Sequence, residues 1–167
     1  MNIYILSINS RIYSTNRLYH EAVKKGHNVR VIDHTRCAVI LGEEKRPQIY
    51  LGPENITDGV HAIIPRIGTS VTRHGAAIVK QFEMNGAFTT AKSLGIIRSR
   101  NKLRTMQILA RKRIPIPKTL FAKDTSNIKE HIKLLGGAQI IIKLQEGTQG
   151  LGVMIAESKK SAKSIIE

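Results

Sequence analysis

The chain has no tryptophan, one cysteine and only 4% aromatic residues. A lone thiol, Cys37, has no partner for an internal disulfide, which excludes a disulfide-stapled scaffold. No run approaches the ~18 apolar residues of a membrane-spanning helix. The N-terminus also lacks the basic-then-apolar order of a secretory signal. These absences set the expectation of a cytoplasmic protein. The histidines, His20, His27, His34, His61, His74 and His131, show no metal-ligand spacing and no neighbouring cysteine pair, so a zinc site is not expected. Paired carboxylates are scarce and nothing resembles a nucleophile elbow.

What is present is an ordinary globular composition, 41% hydrophobic and 23% charged, on 167 residues. That length suits one domain or two small ones. The charge is less ordinary. Lys and Arg number 27 against 12 Asp and Glu, a formal net charge of +15. Between Glu83 and Asp124 there is no acidic residue. The same stretch holds Lys92, Arg98, Arg100, Lys102, Arg104, Arg111, Lys112, Arg113, Lys118 and Lys123. Such a field attracts polyanions: nucleic acid, nucleotide phosphates or an acidic peptide. It is equally the form of a solvated helix face in a lysine-rich protein. The stretch carries no cluster of aromatic rings on which single-stranded bases would stack, which argues against a dedicated single-strand binder.

Along the chain, 2–8 reads as a buried strand, 16–25 as a helix and 29–33 as a second strand. A β-α-β start of this kind predicts a parallel sheet and the α/β class. Residues 34–59 read as a loop with a short strand near Ile49 and Leu51. Residues 61–67 predict a strand, Ser70 or Thr72 can cap a helix that runs to about Asn85, and 87–90 read as a short strand that closes a first domain of about ninety residues. Residues 91–97 read as a short helical or irregular link. A basic helix capped by Ser99 or Asn101 then runs to about Lys112, with Leu103, Met106, Leu109 and Ala110 as its apolar stripe. After Pro115 and Pro117, a strand is expected at 119–122, then a helix capped by Asp124 or Ser126, with Ile128, Ile132 and Leu135 on one face.

The segment that points to chemistry is 139–156. An apolar β-type run carries Lys143, a loop with Gly147, Gly150 and Gly152 follows, and a second apolar run begins at Val153. Glycines let backbone approach a ligand closely, so successive N–H groups can point at phosphate oxygens, and Lys143 adds a full positive charge beside them. The order strand, glycine loop, strand differs from the strand-loop-helix order of the Walker and dinucleotide loops. An ordinary β-hairpin has the same outline. Glu146 at the loop mouth is either a turn residue or an orienter of Lys143. Lys102 beside the basic helix's stripe is either solvated or reaches the same nucleotide.

Taken together, Ile63–Gly68, Lys80–Met84, Arg98–Arg104, Leu134–Ala138, Ile142–Gln145 and Glu146–Val153 resemble the RimK family of ATP-grasp ligases, along nearly the whole chain. The resemblance implies a small α/β pre-ATP-grasp domain at 1–90, with a parallel sheet. It also implies an incomplete ATP-grasp domain at 91–167, its first subdomain only. By the same resemblance, Lys102 and Lys143 match the lysines that contact ATP phosphates. Glu146, Gly147, Thr148, Gln149, Gly150, Leu151 and Gly152 match the flexible loop that closes over them. The implied cofactors are ATP and magnesium. The implied reaction makes an acyl phosphate, which the amine of glutamate attacks, at the acidic C-terminal tail of a small-subunit ribosomal protein. In this family the hinge strand, a reaction-centre arginine and the magnesium ligands follow the point reached here. No catalytic or metal residue is therefore expected in this stretch, and it is expected to be inactive alone, or completed by a second chain. The alternative expectation is a non-catalytic basic module that binds ribosomal RNA or an acidic protein tail.

Overall fold

Ile3, Tyr4, Ile5 and Leu6 are four apolar side chains in succession, and a strand apolar on both faces belongs inside a covered sheet. In the computed structural model they form β1 (Asn2–Leu6), with all four buried. The structure describes residues 1–42, 46–124, 126–137, 139–144 and 152–166. From β1 the chain runs through α1 (Tyr13–Lys24), β2 (Asn28–Ile32), β3 (Cys37–Ile40), β4 (Gln48–Leu51) and β5 (Glu54–Asn55). It continues through β6 (Ala62–Pro65), α2 (Thr72–Met84), β7 (Phe88–Thr89) and α3 (Ser93–Arg100). It divides into two compact units, Met1–Arg100 and Asn101–Glu167.

The first unit is built on a parallel sheet of order β2-β1-β6-β7. Ile5 pairs with Val31 on one side of β1 and with Ile64 on the other. α2 covers the sheet with Ala76, Ile78, Val79 and Phe82, all buried. Tyr4 meets the Phe82 ring edge-on, with centroids 6.0 Å apart, a favoured aromatic geometry. Gly75 is needed in α2 because a Cβ there would lie 2.5 Å from Ile67 Cγ2, so the helix rests directly on the loop after β6.

Residues 34–59, expected to be mostly loop around a short strand near Ile49, instead hold an antiparallel sheet β3-β4-β5, and Ile49 of β4 and Ile56 just after β5 enter the main core. Its pairing joins distant residues, Val39 with Ile49 and Ala38 with Tyr50, which no short-range pattern reveals. Arg30 on β2 clamps Glu54 on β5 with two 2.7 Å hydrogen bonds and lies over the Tyr4 ring, tying the two sheets together. Residues 91–97, expected as a short helical or irregular link, contribute Ser93–Ile97 to the helix α3, which runs on to Arg100. The Glu83 carboxylate accepts from Ser93 N at 2.7 Å and from Ser93 Oγ at 3.0 Å, holding the start of α3.

The second unit comprises α4 (Lys102–Arg111), α5 (Ile128–Leu135), β8 (Ile140–Lys143), β9 (Val153–Ala156) and α6 (Lys159–Ile166). Asn101 caps α4 as expected, its Oδ1 accepting from Arg104 N. The strand expected at 119–122 is absent. Pro115 and Pro117 remove two backbone donors nearby, and Thr119–Ala122 is neither helix nor strand. Asp124 does not cap α5 either. It accepts from Ser126 N and Oγ in a turn, and Asn127 stands at the cap position. Ile128, Ile132, Ala156 and Ala162 form this unit's own core, joined by Ile140, Ile142, Ile165 and Ile166. Among the described residues, no helix is long and apolar enough to cross a membrane.

Candidate nucleotide-phosphate site

β8 and β9 pair antiparallel, with Ile140 opposite Ala156, Ile141 opposite Ile155, Ile142 opposite Met154 and Lys143 opposite Val153. Side chains alternate along a strand, so this register sorts the hairpin into two faces. Ile140, Ile142, Met154 and Ala156 turn inward, and the two isoleucines and the alanine join the core with α5 and α6. Ile141, Lys143, Val153 and Ile155 share the outer face. Three of these are apolar yet strongly exposed: Ile141 61%, Val153 44% and Ile155 68%. Lys143 stands exposed among them. Ile141 and Ile155 stand opposite each other on this exposed face, next to the Lys143–Val153 pair.

The stem of the glycine loop is closed by Leu144 N donating to Gly152 O at 2.9 Å. Gly152 takes φ +76, and a Cβ there would lie 2.8 Å from Leu144 Cδ1. Both conditions demand glycine at the point where the chain re-enters β9. Glu146, Gly147, Thr148, Gln149, Gly150 and Leu151 lie outside the described residues. Lys102 is the first residue of α4 and half-buried. None of the α4 residues is fully buried, and none belongs to the core that holds β8 and β9. Lys102 and Lys143 thus belong to one unit but stand on elements that share no core.

Reading Lys143 and the glycines alone passes over Ile141, Val153 and Ile155. The signal for them was available, because the period of two that buries Ile140 and Ile142 also puts Ile141 on the side of Lys143. Among the described residues, no group of three or more His, Cys, Asp or Glu side chains is clustered.

Comparison with known proteins fits this geometry. Residues 1–96 match the RimK PreATP-grasp domain and residues 99–167 the RimK-like ATP-grasp domain. The chain belongs to the RimK family of ATP-grasp proteins. It is 50% identical over 167 residues to a probable alpha-L-glutamate ligase of Nitrosococcus oceani, and 49% identical to one of Aliivibrio fischeri. All of this RimK-family chain is covered in both, but only 55% of each relative, so it spans about half their length. The fold resembles the RimK domain protein ATP-grasp of Sphaerobacter thermophilus, with a TM-score of 0.72 at 15% identity. That likeness covers 99% of this chain and 57% of the other. It also resembles the ATP-grasp ligase PsnB complexed with a phosphomimetic variant of its minimal precursor, Mg and ADP. There the TM-score is 0.66 at 17% identity, over 99% of this chain and 61% of PsnB.

Proposed function

We propose that this chain supplies the pre-ATP-grasp domain and the phosphate-gripping hairpin of an ATP-dependent glutamate ligase. The observation that carries this is the outer face of β8 and β9, where Lys143 stands exposed beside Ile141, Val153 and Ile155. The base and sugar of ATP lie against the isoleucine pair. The triphosphate runs toward Lys143 and residues 146–152, whose glycines would let backbone N–H groups bond its oxygens. Lys102 brings a second cation to the same phosphates.

In the reaction assigned to the whole ligase, a carboxylate oxygen attacks the γ-phosphorus of ATP and ADP leaves. The amine nitrogen of glutamate then attacks the acyl carbon, phosphate leaves, and the amine gives up a proton. The acceptor is the acidic C-terminal tail of a small-subunit ribosomal protein in the cytoplasm. Magnesium, when bound, would offset the negative charge of the phosphates during the transfer. A chain completing the ATP-grasp domain would enclose the nucleotide, and low-dielectric enclosure is what makes such charge contacts strong.

Titration of the purified chain with ATP tests the site. Lys143→Ala lowers the affinity by about tenfold, the worth of one charge-assisted contact. Superimposable titration curves for wild type and variant would remove Lys143 from the phosphate site.

A further inference from the structure

In the parallel sheet, β1 runs through α1 to β2 on one side, while β6 lies on its other side. The order therefore reverses between β1 and β6, and a crevice opens beyond the carboxyl ends of strands at such a switch point. This one is a cavity of about 400 Å³ wholly within the first unit. Ser7 leaves β1 and Arg66 leaves β6 at its floor, their N–H groups continuing the ladder to Ile32 O and Leu6 O.

Its chemistry is one-sided. Arg66 and Arg100 line it, and among the described residues no acidic one does. Arg66 Nη2 donates to Ser14 Oγ at 2.7 Å, and Arg100 Nη2 donates to the backbone O of Ile67 at 3.0 Å. Among the described residues neither guanidinium is in an ion pair, although Arg17, Arg30 and Arg46 in the same unit each are. Two buried hydroxyls, Ser7 and Thr15, bond each other at 3.2 Å on the same wall. α1 begins at this wall with no side-chain cap and no acid in its first turn, so its positive end is uncompensated. The last turn of α3, whose carbonyls have the opposite sign, carries Arg98 and Arg100. Ile8, Ile12 and Ile96 make much of the remaining lining apolar.

We infer that this crevice binds the carboxylate of an acidic amino acid or of an acidic peptide end, with Arg66 and Arg100 as the anion-holding groups. Guanidinium forks match a carboxylate in plane and spacing. The apolar walls and the volume ask for an organic body, which an inorganic anion lacks. The choice of an acidic amino acid or peptide rests on the ligase reading, whereas the cationic crevice does not.

The test is calorimetric titration of the whole chain, without ATP, using L-glutamate, a peptide ending in several glutamates, and inorganic phosphate. Arg66→Met and Arg100→Met each weaken carboxylate binding by about tenfold, and Arg66→Lys by less, because charge remains but the fork is lost. Lys25→Ala, a charge-matched change at the far end of α1, leaves affinity within twofold. Amide shifts on ligand addition fall at Ser7, Thr15 and Gly68, and variants with unaltered thermal midpoints serve as the folded controls. The tighter of the two carboxylate ligands identifies the source. Phosphate binding as tightly as either, equal losses in Lys25→Ala, shifts confined to other residues, or no saturable carboxylate binding would each overturn the assignment. With ATP absent, none of these outcomes depends on Lys143.

Discussion

His34 is fully buried, and neither ring nitrogen has a hydrogen-bond partner among the described residues. Burial lowers its pKa; the Asp33 carboxylate opposes that shift, and His74, whose ring lies 6.5 Å away, adds to it. The folded chain thus keeps His34 neutral while the unfolded chain protonates near its ordinary value of 6.5. The stabilisation is complete above that pH and declines below it, by up to ~1.4 kcal/mol per pH unit, until the folded-state pKa is reached. Denaturant midpoints should fall between pH 7.5 and pH 5.5, and His34→Asn should flatten the slope. Cys37 is a second buried titratable group. Burial first, then Asp33, pushes its thiol up to about 11, and its Sγ contacts Asp33 O at 3.7 Å. A thiolate is the reactive form, so Cys37 should resist maleimide at neutral pH until the protein unfolds. Rapid labelling of the native chain would contradict that.

At the scale of elements, α3 depends on a carboxylate from α2. Glu83 satisfies Ser93 N and Oγ at the helix start, and it is shielded, with only 11% of its side chain exposed. Glu83→Gln removes the charge from both bonds and from the helix's positive end. It should destabilise the first unit by about 1–2 kcal/mol. Thermal unfolding reads the loss, and amide exchange of Ile96–Arg100 should quicken first. Because α3 carries Arg100, that variant should also weaken carboxylate binding in the crevice without touching it. The hairpin β8–β9 shows the same logic on the other unit. The inward isoleucines fix its register, and the register sets Lys143 on the outer face.

For the whole molecule, the ligase reading predicts that this chain alone adds no glutamate to an acceptor peptide above background. Mass spectrometry of the peptide after incubation with ATP, magnesium and glutamate would detect the opposite. Much of this was legible in local pattern. Four consecutive apolar residues at 3–6 announce a central strand, and the apolar runs on either side of Gly147, Gly150 and Gly152 announce the paired strands β8 and β9. The pairing of β3 with β4, the extent of α3 and the grouping of Arg66 with Arg100 were not legible. Arg66 and Arg100 are far apart in sequence and meet only because β6 and α3 end at the same crevice. Local sequence sets which backbone each stretch favours and which residues carry charge. Which distant charges share one cavity, and which apolar faces stay open, is decided by long-range packing, whose energy belongs to no single segment.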